Sequence, residues 1–296
     1  MNQTENRTLV VIPTYNEREN IAEITARVLR ASPGVDVLVV DDNSPDGTGA
    51  LASALASGHD RINVLHRAGK EGLGAAYRAG FTWGLERGYQ RLVEMDADGS
   101  HQPEQLAVLL AALDTADVVL GSRWVAGGSV ANWPLKRMLL SQAGSLYARV
   151  ALGLPVRDIT GGFRAFTAEA LHRIGYQRVL SQGYCFQIDM LWKAYKSGLR
   201  IAEVPIDFVE RTHGESKMSS RIVREAILRV TVWGLLALPA RLRGDHRMAR
   251  AAASAAPFVR DEVVRDEREE AGSRSPGTVG RPLSPDRVAR ERNRAA

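Results

Sequence analysis

The sequence predicts an α/β fold in which a mostly parallel sheet is covered by helices on both faces. Short apolar segments alternate with segments of helical periodicity over residues 8–122. The apolar segments are nearly continuous runs of Val, Leu and Ile, which is typical of strands buried on both faces. With 296 residues, 45% of them hydrophobic, the chain is long enough to bury one large core.

The predicted strands and helices follow one another in strict order. Strands are predicted at residues 8–15, 35–42, 61–66, 91–96 and 116–122, and helices at residues 17–31, 48–57, 71–87 and 103–113. Strands joined through helices run parallel, because the helix carries the chain back to the end of the sheet where the previous strand began. Residues 123–215 show no such regularity.

The C-terminal part of the chain has a different composition. Residues 221–243 predict a strongly apolar helix with Arg at both ends, which suits the headgroup region of a membrane. Packing of this helix on the protein's own core is the alternative, and residues 135–152 are a second candidate for membrane contact. Residues 244–296 are rich in Ala, Arg, Glu, Ser, Pro and Gly and are predicted to be disordered. The expected organisation is therefore an α/β domain over residues 1–220, an interfacial helix over residues 221–243 and a tail over residues 244–296.

Charge and cysteine content exclude several classes of function. The net charge of +5 originates largely from residues 241–296, which contain 13 Arg against 9 acidic residues. The other 240 residues carry 26 basic and 25 acidic side chains without a basic patch, so nucleic-acid binding is not expected. A single cysteine suits a reducing compartment. No signal peptide or apolar run of 18 residues is recognised, so we expect a cytoplasmic protein without a spanning helix.

Polar side chains follow four of the predicted strands. They are Tyr15, Asn16 and Glu17 after the first strand, Asp41, Asp42 and Asn43 at the second, Asp96 and Asp98 at the fourth, and Ser122 and Arg123 at the fifth. Because the carboxyl ends of parallel strands share one edge of the sheet, these side chains are expected to converge there and to bind a ligand.

Asp96 and Asp98 are the most informative pair at this edge. Their D-x-D spacing brings two carboxylates to one point of a tight turn, where Mg²⁺ or Mn²⁺ would relieve their repulsion and bind substrate phosphates. The alternative is structural: Asp96 only ends the strand, and Asp98 caps the helix that begins near Pro103.

Motifs along the chain resemble those of family 2 glycosyltransferases, which have the nucleotide-sugar-binding GT-A fold. They are VVIPTYNEREN (10–20), VVDDNSPDGTG (39–49), GLGAAYRAG (72–80), MDADGSHQPE (95–104) and GSRW (121–124). Later motifs resemble polyprenol- and dolichol-phosphate mannose synthases: WPLKR (133–137), DITGGFRAF (158–166), GYCFQIDM (183–190) and EVPIDFVERTHGESKMS (203–219).

This resemblance implies a metal-dependent, inverting transfer of mannose from GDP-mannose to a polyprenyl phosphate in the membrane. It assigns Pro13, Tyr15, Glu17 and Asp42 to the nucleotide, Asp96 and Asp98 to the metal and donor diphosphate, and Arg123, Arg137, Arg211 and Lys217 to the donor and acceptor phosphates. Lys70 is a further candidate for the nucleotide and Gln187 for the sugar. Ser100 stands where many relatives have a metal-binding glutamine, which leaves the third protein ligand open.

The residue types suit this chemistry. A phosphate monoester has a second pKa of ~6, so the acceptor is already an anion at neutral pH and needs no general base. It must approach a second negatively charged group, and arginine forks match phosphate geometry. Asp98, Arg123, Arg211 and Lys217 are therefore the expected catalytic set, although each cation has a structural alternative as a loop or helix-surface charge.

Other functions remain open from the sequence. The same scaffold could use UDP-glucose, or it could be a non-catalytic scaffold recruited to the membrane. We expect peripheral association with the cytoplasmic face of the membrane, with or without a separate membrane anchor protein.

Overall fold

The alternation predicted for residues 8–122 is present in the computed structural model of the protein, which describes residues 7–181, 183–211 and 220–242. This part of the chain forms β1 (Thr8–Thr14), α1 (Arg18–Ala31), β2 (Val35–Asp41), α2 (Thr48–Gly58), β3 (Ile62–His66), α3 (Leu73–Glu86), β4 (Arg91–Glu94), a 3-10 turn (Pro103–Gln105), α4 (Leu106–Ala112) and β5 (Val118–Ser122). The five predicted strands and four predicted helices are confirmed, with bounds within two residues of the prediction when the 3-10 turn at Pro103 is counted with α4.

The irregular part of the sequence also contributes strands and helices. These are β6 (Ser129–Ala131), α5 (Leu135–Leu152), β7 (Arg164–Thr167), α6 (Ala168–Ile174), a 3-10 turn (Tyr176–Arg178), α7 (Tyr184–Lys196), β8 (Ile201–Pro205) and β9 (Asp207–Val209). The helix predicted at residues 221–243 follows as α8 (Ser220–Leu242). The four strands have only three to five residues each, which is too short for a recognisable periodicity.

The main sheet has the order β3-β2-β1-β4-β7-β5-β8. Strand β7 is antiparallel to both of its neighbours, β4 and β5, and the other pairs in this sheet are parallel. The carboxyl ends of β1, β2, β4 and β5 therefore lie at one edge. Because β7 runs in the opposite direction, the segment that precedes it, residues 158–163, reaches the same edge.

Helices cover both faces of the sheet, as predicted. Alternate residues of β1 show this: Leu9 and Val11 belong to a core cluster shared with α3, α5, α6, α7 and α8, whereas Val10 and Ile12 belong to a second cluster shared with α1, α2 and α4. All four side chains are completely buried. This two-sided burial explains why the strand sequences are continuously apolar rather than alternating.

Helix α8 packs on the protein and also exposes apolar side chains. Val230 is buried, and Trp233 stacks on Trp192 of α7 with 5.5 Å between ring centres. The other side of α8 exposes Ile227, Leu228, Val232, Leu235, Leu236 and Leu238. Within the described ranges no helix has the length and hydropathy to cross a bilayer. Contact with a membrane surface stays a prediction, and the predicted tail over residues 244–296 lies outside the described residues, as does Arg243.

We expect Gly80→Ala to destabilise the fold, because α3 approaches β1 so closely at this point. A Cβ on Gly80 would lie 2.4 Å from Cγ1 of the buried Val11. Overpacking of this kind costs about 1–3 kcal/mol in the free energy of unfolding. The measurement is urea unfolding of both proteins by circular dichroism.

The matched control is Gly58→Ala at the end of α2, where an added Cβ meets nothing within 4 Å. This change should alter the free energy of unfolding by no more than about 1 kcal/mol. Equal stability of the two variants would contradict close packing at Gly80.

Candidate active site

The side chains at the ends of β1 and β2 form the first part of the site. Asp42 follows β2, has 7% of its side chain exposed and forms an ion pair with Arg67. Arg67 also donates a hydrogen bond of 2.8 Å to Glu71. Burial raises the pKa of Asp42, and the neighbouring Arg67 opposes that rise. Arg67 was not predicted as a site residue; it lies 25 positions from Asp42, beyond the reach of a local motif.

Lys70 lies over the ring of Tyr15, with its Nζ atom 3.9 Å from the ring centre. The two predicted nucleotide-binding residues are thus brought together. Glu17 precedes α1, and its backbone N–H donates a hydrogen bond of 3.0 Å to Oγ1 of Thr48. Pro13 is paired with Val40 across β1 and β2. These contacts place the four predicted residues Pro13, Tyr15, Glu17 and Asp42 on adjacent strands and the loops that follow them.

Asp96 and Asp98 lie in the turn that follows β4. Asp98 accepts a hydrogen bond of 3.0 Å from the backbone N–H of Ser100, and its other carboxylate oxygen is 3.0 Å from Nη1 of Arg211. Asp98 therefore does not cap the helix at Pro103, and the 3-10 turn that begins there has no side-chain cap. The hydroxyl of Tyr77 donates a longer hydrogen bond of 3.4 Å to Asp96. The turn places both carboxylates beside a predicted phosphate-binding cation.

The electrostatics of this turn suit a cation. Enclosure by the protein raises the pKa of Asp96, although 38% of its side chain remains exposed. The Asp98 and Glu17 carboxylates raise this pKa further, and His101 and Arg211 oppose the rise. In the part of the chain that the structure describes, no third His, Cys, Asp or Glu completes a metal site with them. Two hard oxygen donors fit Mg²⁺ or Mn²⁺, which retain waters and take further ligands from phosphates.

Arg123 is held at the end of β5 by Asp158. Two nitrogens of its guanidinium donate hydrogen bonds of 2.7 Å to the two Asp158 carboxylate oxygens, and its backbone N–H donates a third of 2.9 Å. The rings of Trp124, Trp133 and Phe208 surround the guanidinium, each 5.3–5.4 Å from it. Because Asp158 is completely buried and Arg123 nearly so, the guanidinium has a fixed orientation.

Arg164, six residues after Asp158, does not pair with it. Arg164 is completely buried and donates to the backbone carbonyls of Ile159, Gly161 and Gln187 at 2.6–2.8 Å. These bonds hold the loop before β7 at the edge of the sheet.

Gln187 lies beneath this edge rather than at its surface. Its side chain is 2% exposed, and its amide is near Glu94 without the geometry of a hydrogen bond. Burial raises the pKa of Glu94 to about 8, and the positive charge of Arg164 opposes that rise. The role of Gln187 towards the sugar stays a prediction.

Arg137 lies in the first turn of α5 and forms an ion pair with both carboxylate oxygens of Glu210. A cation in the first turn of a helix opposes the helix dipole, so an anionic partner stabilises it there. The protein supplies one itself. The guanidinium also lies 4.2 Å from the ring centre of Trp133.

Arg123 and Arg137 are among the residues that line an apolar cavity between α5 and α8. The cavity has a volume of about 330 Å³, and the helices line it with Leu140, Ala143, Tyr147, Ala148, Ile227 and Val230. Two guanidinium groups and a largely apolar lining suit a ligand with an anionic head and a hydrocarbon tail. Lys217 and His213 lie outside the described residues, so the structure does not locate them.

Comparison with known proteins identifies relatives along most of the chain. The model of the glycosyl transferase family 2 matches residues 9–175. The chain is 56% identical over 243 residues to the polyprenol monophosphomannose synthase of Mycolicibacterium smegmatis, covering 81% of this chain and 92% of that protein. It is 57% identical over 231 residues to the undecaprenyl-phosphate mannosyltransferase of Micrococcus luteus, covering 78% of this chain and 95% of that protein.

Solved structures share the fold at lower identity. Glucosyl-3-phosphoglycerate synthase from Mycobacterium tuberculosis, in complex with phosphoglyceric acid, is 20% identical with a TM-score of 0.56, covering 78% of this chain and 81% of that one. The same enzyme with Mn²⁺, UDP-glucose and phosphoglyceric acid is 21% identical with a TM-score of 0.55, covering 79% and 80%. The predicted GT-A architecture is thus confirmed.

Asp158→Asn is expected to destabilise the protein strongly, because it removes the charge that balances a buried guanidinium. Breaking a buried ion pair from one side costs about 3–5 kcal/mol. The measurement is the free energy of unfolding from urea denaturation at pH 7.

Asp117→Asn provides the matched control, because Asp117 pairs with Arg200 at the surface, with 21% and 56% of the side chains exposed. This pair should contribute no more than about 1 kcal/mol. If Asp158→Asn lowers the free energy of unfolding by no more than Asp117→Asn does, the charge of Arg123 is not balanced by Asp158.

Proposed function

Because the chain belongs to glycosyl transferase family 2, we propose that it transfers mannose from GDP-mannose to a polyprenyl phosphate. The observation that carries this proposal is the pair Arg123 and Arg137 in the lining of the apolar cavity between α5 and α8. A phosphate on a long hydrocarbon chain has the same division into a charged head and an apolar tail. The high identity to two polyprenyl-phosphate enzymes over most of their length supports it.

The donor would bind at the edge formed by β1, β2 and β4. In this proposal Pro13, Tyr15, Glu17, Asp42 and Lys70 hold the nucleotide. Asp96 and Asp98 would hold Mg²⁺ or Mn²⁺ together with the donor diphosphate. The bound metal would stabilise the negative charge that develops on the departing GDP.

The acceptor would bind from the side of α5 and α8. One oxygen of its phosphate forms a bond to the anomeric carbon of mannose while the bond from that carbon to the diphosphate breaks. A single displacement inverts the configuration, so α-linked mannose of the donor becomes β-linked mannose of the product. In this proposal Arg123, Arg137, Arg211 and Lys217 would screen the repulsion between the two phosphate groups.

The exposed leucines of α5 and α8 support peripheral association with a membrane. Leu139, Leu146 and Val150 on α5 and Leu228 and Leu236 on α8 each have at least half of their surface exposed. Large exposed apolar patches of this kind mark interaction surfaces. The proposal therefore places these helices against the cytoplasmic leaflet, directly or through a membrane anchor protein, where the acceptor tail can enter the cavity.

Transfer of radiolabel tests the proposed reaction. Purified protein, a short polyprenyl phosphate and Mg²⁺ or Mn²⁺ are incubated with labelled GDP-mannose or UDP-glucose, and label in the organic phase is counted. We expect label from GDP-mannose only, lost with a chelator, and reduced about 10²–10³-fold in Asp98→Ala, as for removal of one strong electrostatic group.

Asp60→Ala is the control for this substitution, because Asp60 is exposed on the loop before β3. It should retain full activity. Label from UDP-glucose instead would keep the acceptor chemistry and refute the donor, whereas transfer from neither donor would refute the proposed reaction and favour a scaffold role.

Glu210→Gln tests the acceptor site. The Glu210 carboxylate forms an ion pair with Arg137, whose guanidinium is proposed to bind the acceptor phosphate, so the two anions compete for it. An ion pair of this exposure is worth up to about 1 kcal/mol, so its removal should lower the KM for polyprenyl phosphate roughly fivefold. The measurement is initial rate against acceptor concentration at saturating GDP-mannose.

Glu225→Gln is the matched control, since Glu225 pairs with Arg229 on the exposed side of α8 at 2.8 Å. Its acceptor KM should stay unchanged. A KM that rises in Glu210→Gln would instead show that Glu210 orients Arg137 for phosphate.

A further inference from the structure

His101 is the residue at this edge whose position no functional assignment explains. Its ring is 1% exposed. One face stacks on Phe163 with 5.2 Å between ring centres, and the edge of Phe208 contacts it at 5.5 Å. An isolated antiparallel bridge also joins the backbones of His101 and Phe208. The imidazole is therefore fixed in place by aromatic packing from two different parts of the chain.

The two ring nitrogens both face Asp96. Nδ1 accepts a hydrogen bond of 3.1 Å from the backbone N–H of Asp96, so this nitrogen carries no proton. Nε2 then carries the proton and lies 3.9 Å from a carboxylate oxygen of the same residue.

We propose that His101 is a positioning residue that fixes the Asp96 end of the D-x-D turn and so sets the separation of the two carboxylates. This inference rests on the proposed role of Asp96 and Asp98 in holding a divalent cation. The far end of the turn is closed by Asp98, which accepts the Ser100 N–H at 3.0 Å. At the near end, His101 is the only described residue whose side chain hydrogen-bonds to the backbone N–H of Asp96.

The same ring connects the D-x-D turn to the cations. Phe208 packs on His101 and also lies under the guanidinium of Arg123, 5.3 Å away. The next residue, Val209, donates its N–H to the carbonyl of Ser100 at 3.2 Å, and Arg211 then reaches Asp98. His101 thereby helps to place Arg211 against Asp98.

Two amide substitutions separate positioning from packing. The side-chain oxygen of His101→Asn takes the place of Nδ1 and can accept the Asp96 N–H. The amide of His101→Gln reaches the place of Nε2 and leaves that N–H without its acceptor. Gln fills more of the ring volume than Asn, so a packing role predicts that Gln is the better substitute, and a positioning role predicts the reverse.

The measurement is the affinity of the full-length protein for Mn²⁺ in the presence of GDP, by electron paramagnetic resonance, together with Tm in chelator. We expect His101→Gln to weaken Mn²⁺ binding about 10–100-fold, as for the loss of an outer-shell partner of a metal ligand, and His101→Asn to lie within about threefold of the native protein. In mannose transfer, kcat should fall in parallel with the Mn²⁺ affinity. The Tm of His101→Asn should not exceed the Tm of His101→Gln, because Asn fills less of the ring volume.

His172→Asn on the exposed surface of α6 is the control and should change neither quantity. Equal Mn²⁺ affinities in the Asn and Gln variants, or tighter binding in Gln, would overturn the inference while leaving the proposed function intact. If the native protein takes up no Mn²⁺ with GDP, the proposed metal site fails and the inference fails with it.

Discussion

Three arginines of the candidate site are held by the protein's own carboxylates, and the arrangement of the site depends on these pairs. Arg123 pairs with Asp158, Arg137 with Glu210, and Arg211 with Asp98. Asp158 is held in turn, because Glu203 accepts the backbone N–H groups of Arg157 and Asp158 at 2.8 and 2.9 Å. The guanidinium groups are thus oriented before an anionic substrate arrives, so less of the binding free energy is spent on ordering side chains.

The three pairs differ in burial, which separates permanent supports from contacts that a substrate can replace. Arg123 and Asp158 have 6% and 0% of their side chains exposed, so the pair cannot open to water without a large penalty. Arg137 and Glu210 have 25% and 26% exposed. A phosphate can therefore compete with Glu210 for Arg137 far more readily than with Asp158 for Arg123. In the proposed reaction, Arg123 is the fixed reference point, and Arg137 exchanges its carboxylate for the acceptor phosphate.

The helices that face the acceptor side combine two requirements. Val230 and Trp233 of α8 belong to or pack against the core, which anchors the helix to the protein. The leucines on its other side are exposed, and α8 also contributes Ile227 and Val230 to the lining of the cavity that it shares with α5. A lipid acceptor needs such a geometry, because its phosphate must reach a polar edge while its tail avoids water. The packing of α8 on the core and its predicted contact with a membrane are therefore compatible.

By itself, the sequence determined the strands and helices of residues 8–122 and the convergence of Asp42, Asp96, Asp98 and Arg123 at one edge. These features depend on apolar periodicity and on the rule that parallel strands end together, and both can be recognised from neighbouring residues.

The tertiary structure decided which strands are adjacent and which side chains pair with one another. It placed the short antiparallel β7 between β4 and β5, paired Asp158 with Arg123 rather than Arg164, and brought Arg67 to Asp42 and Glu210 to Arg137. Glu210 and Arg137 are 73 residues apart, and the spacing of residues within a motif holds no information on contacts over such distances. The role of His101 also depends on packing, since Phe163 and Phe208, which fix its ring, come from two separate later segments of the chain.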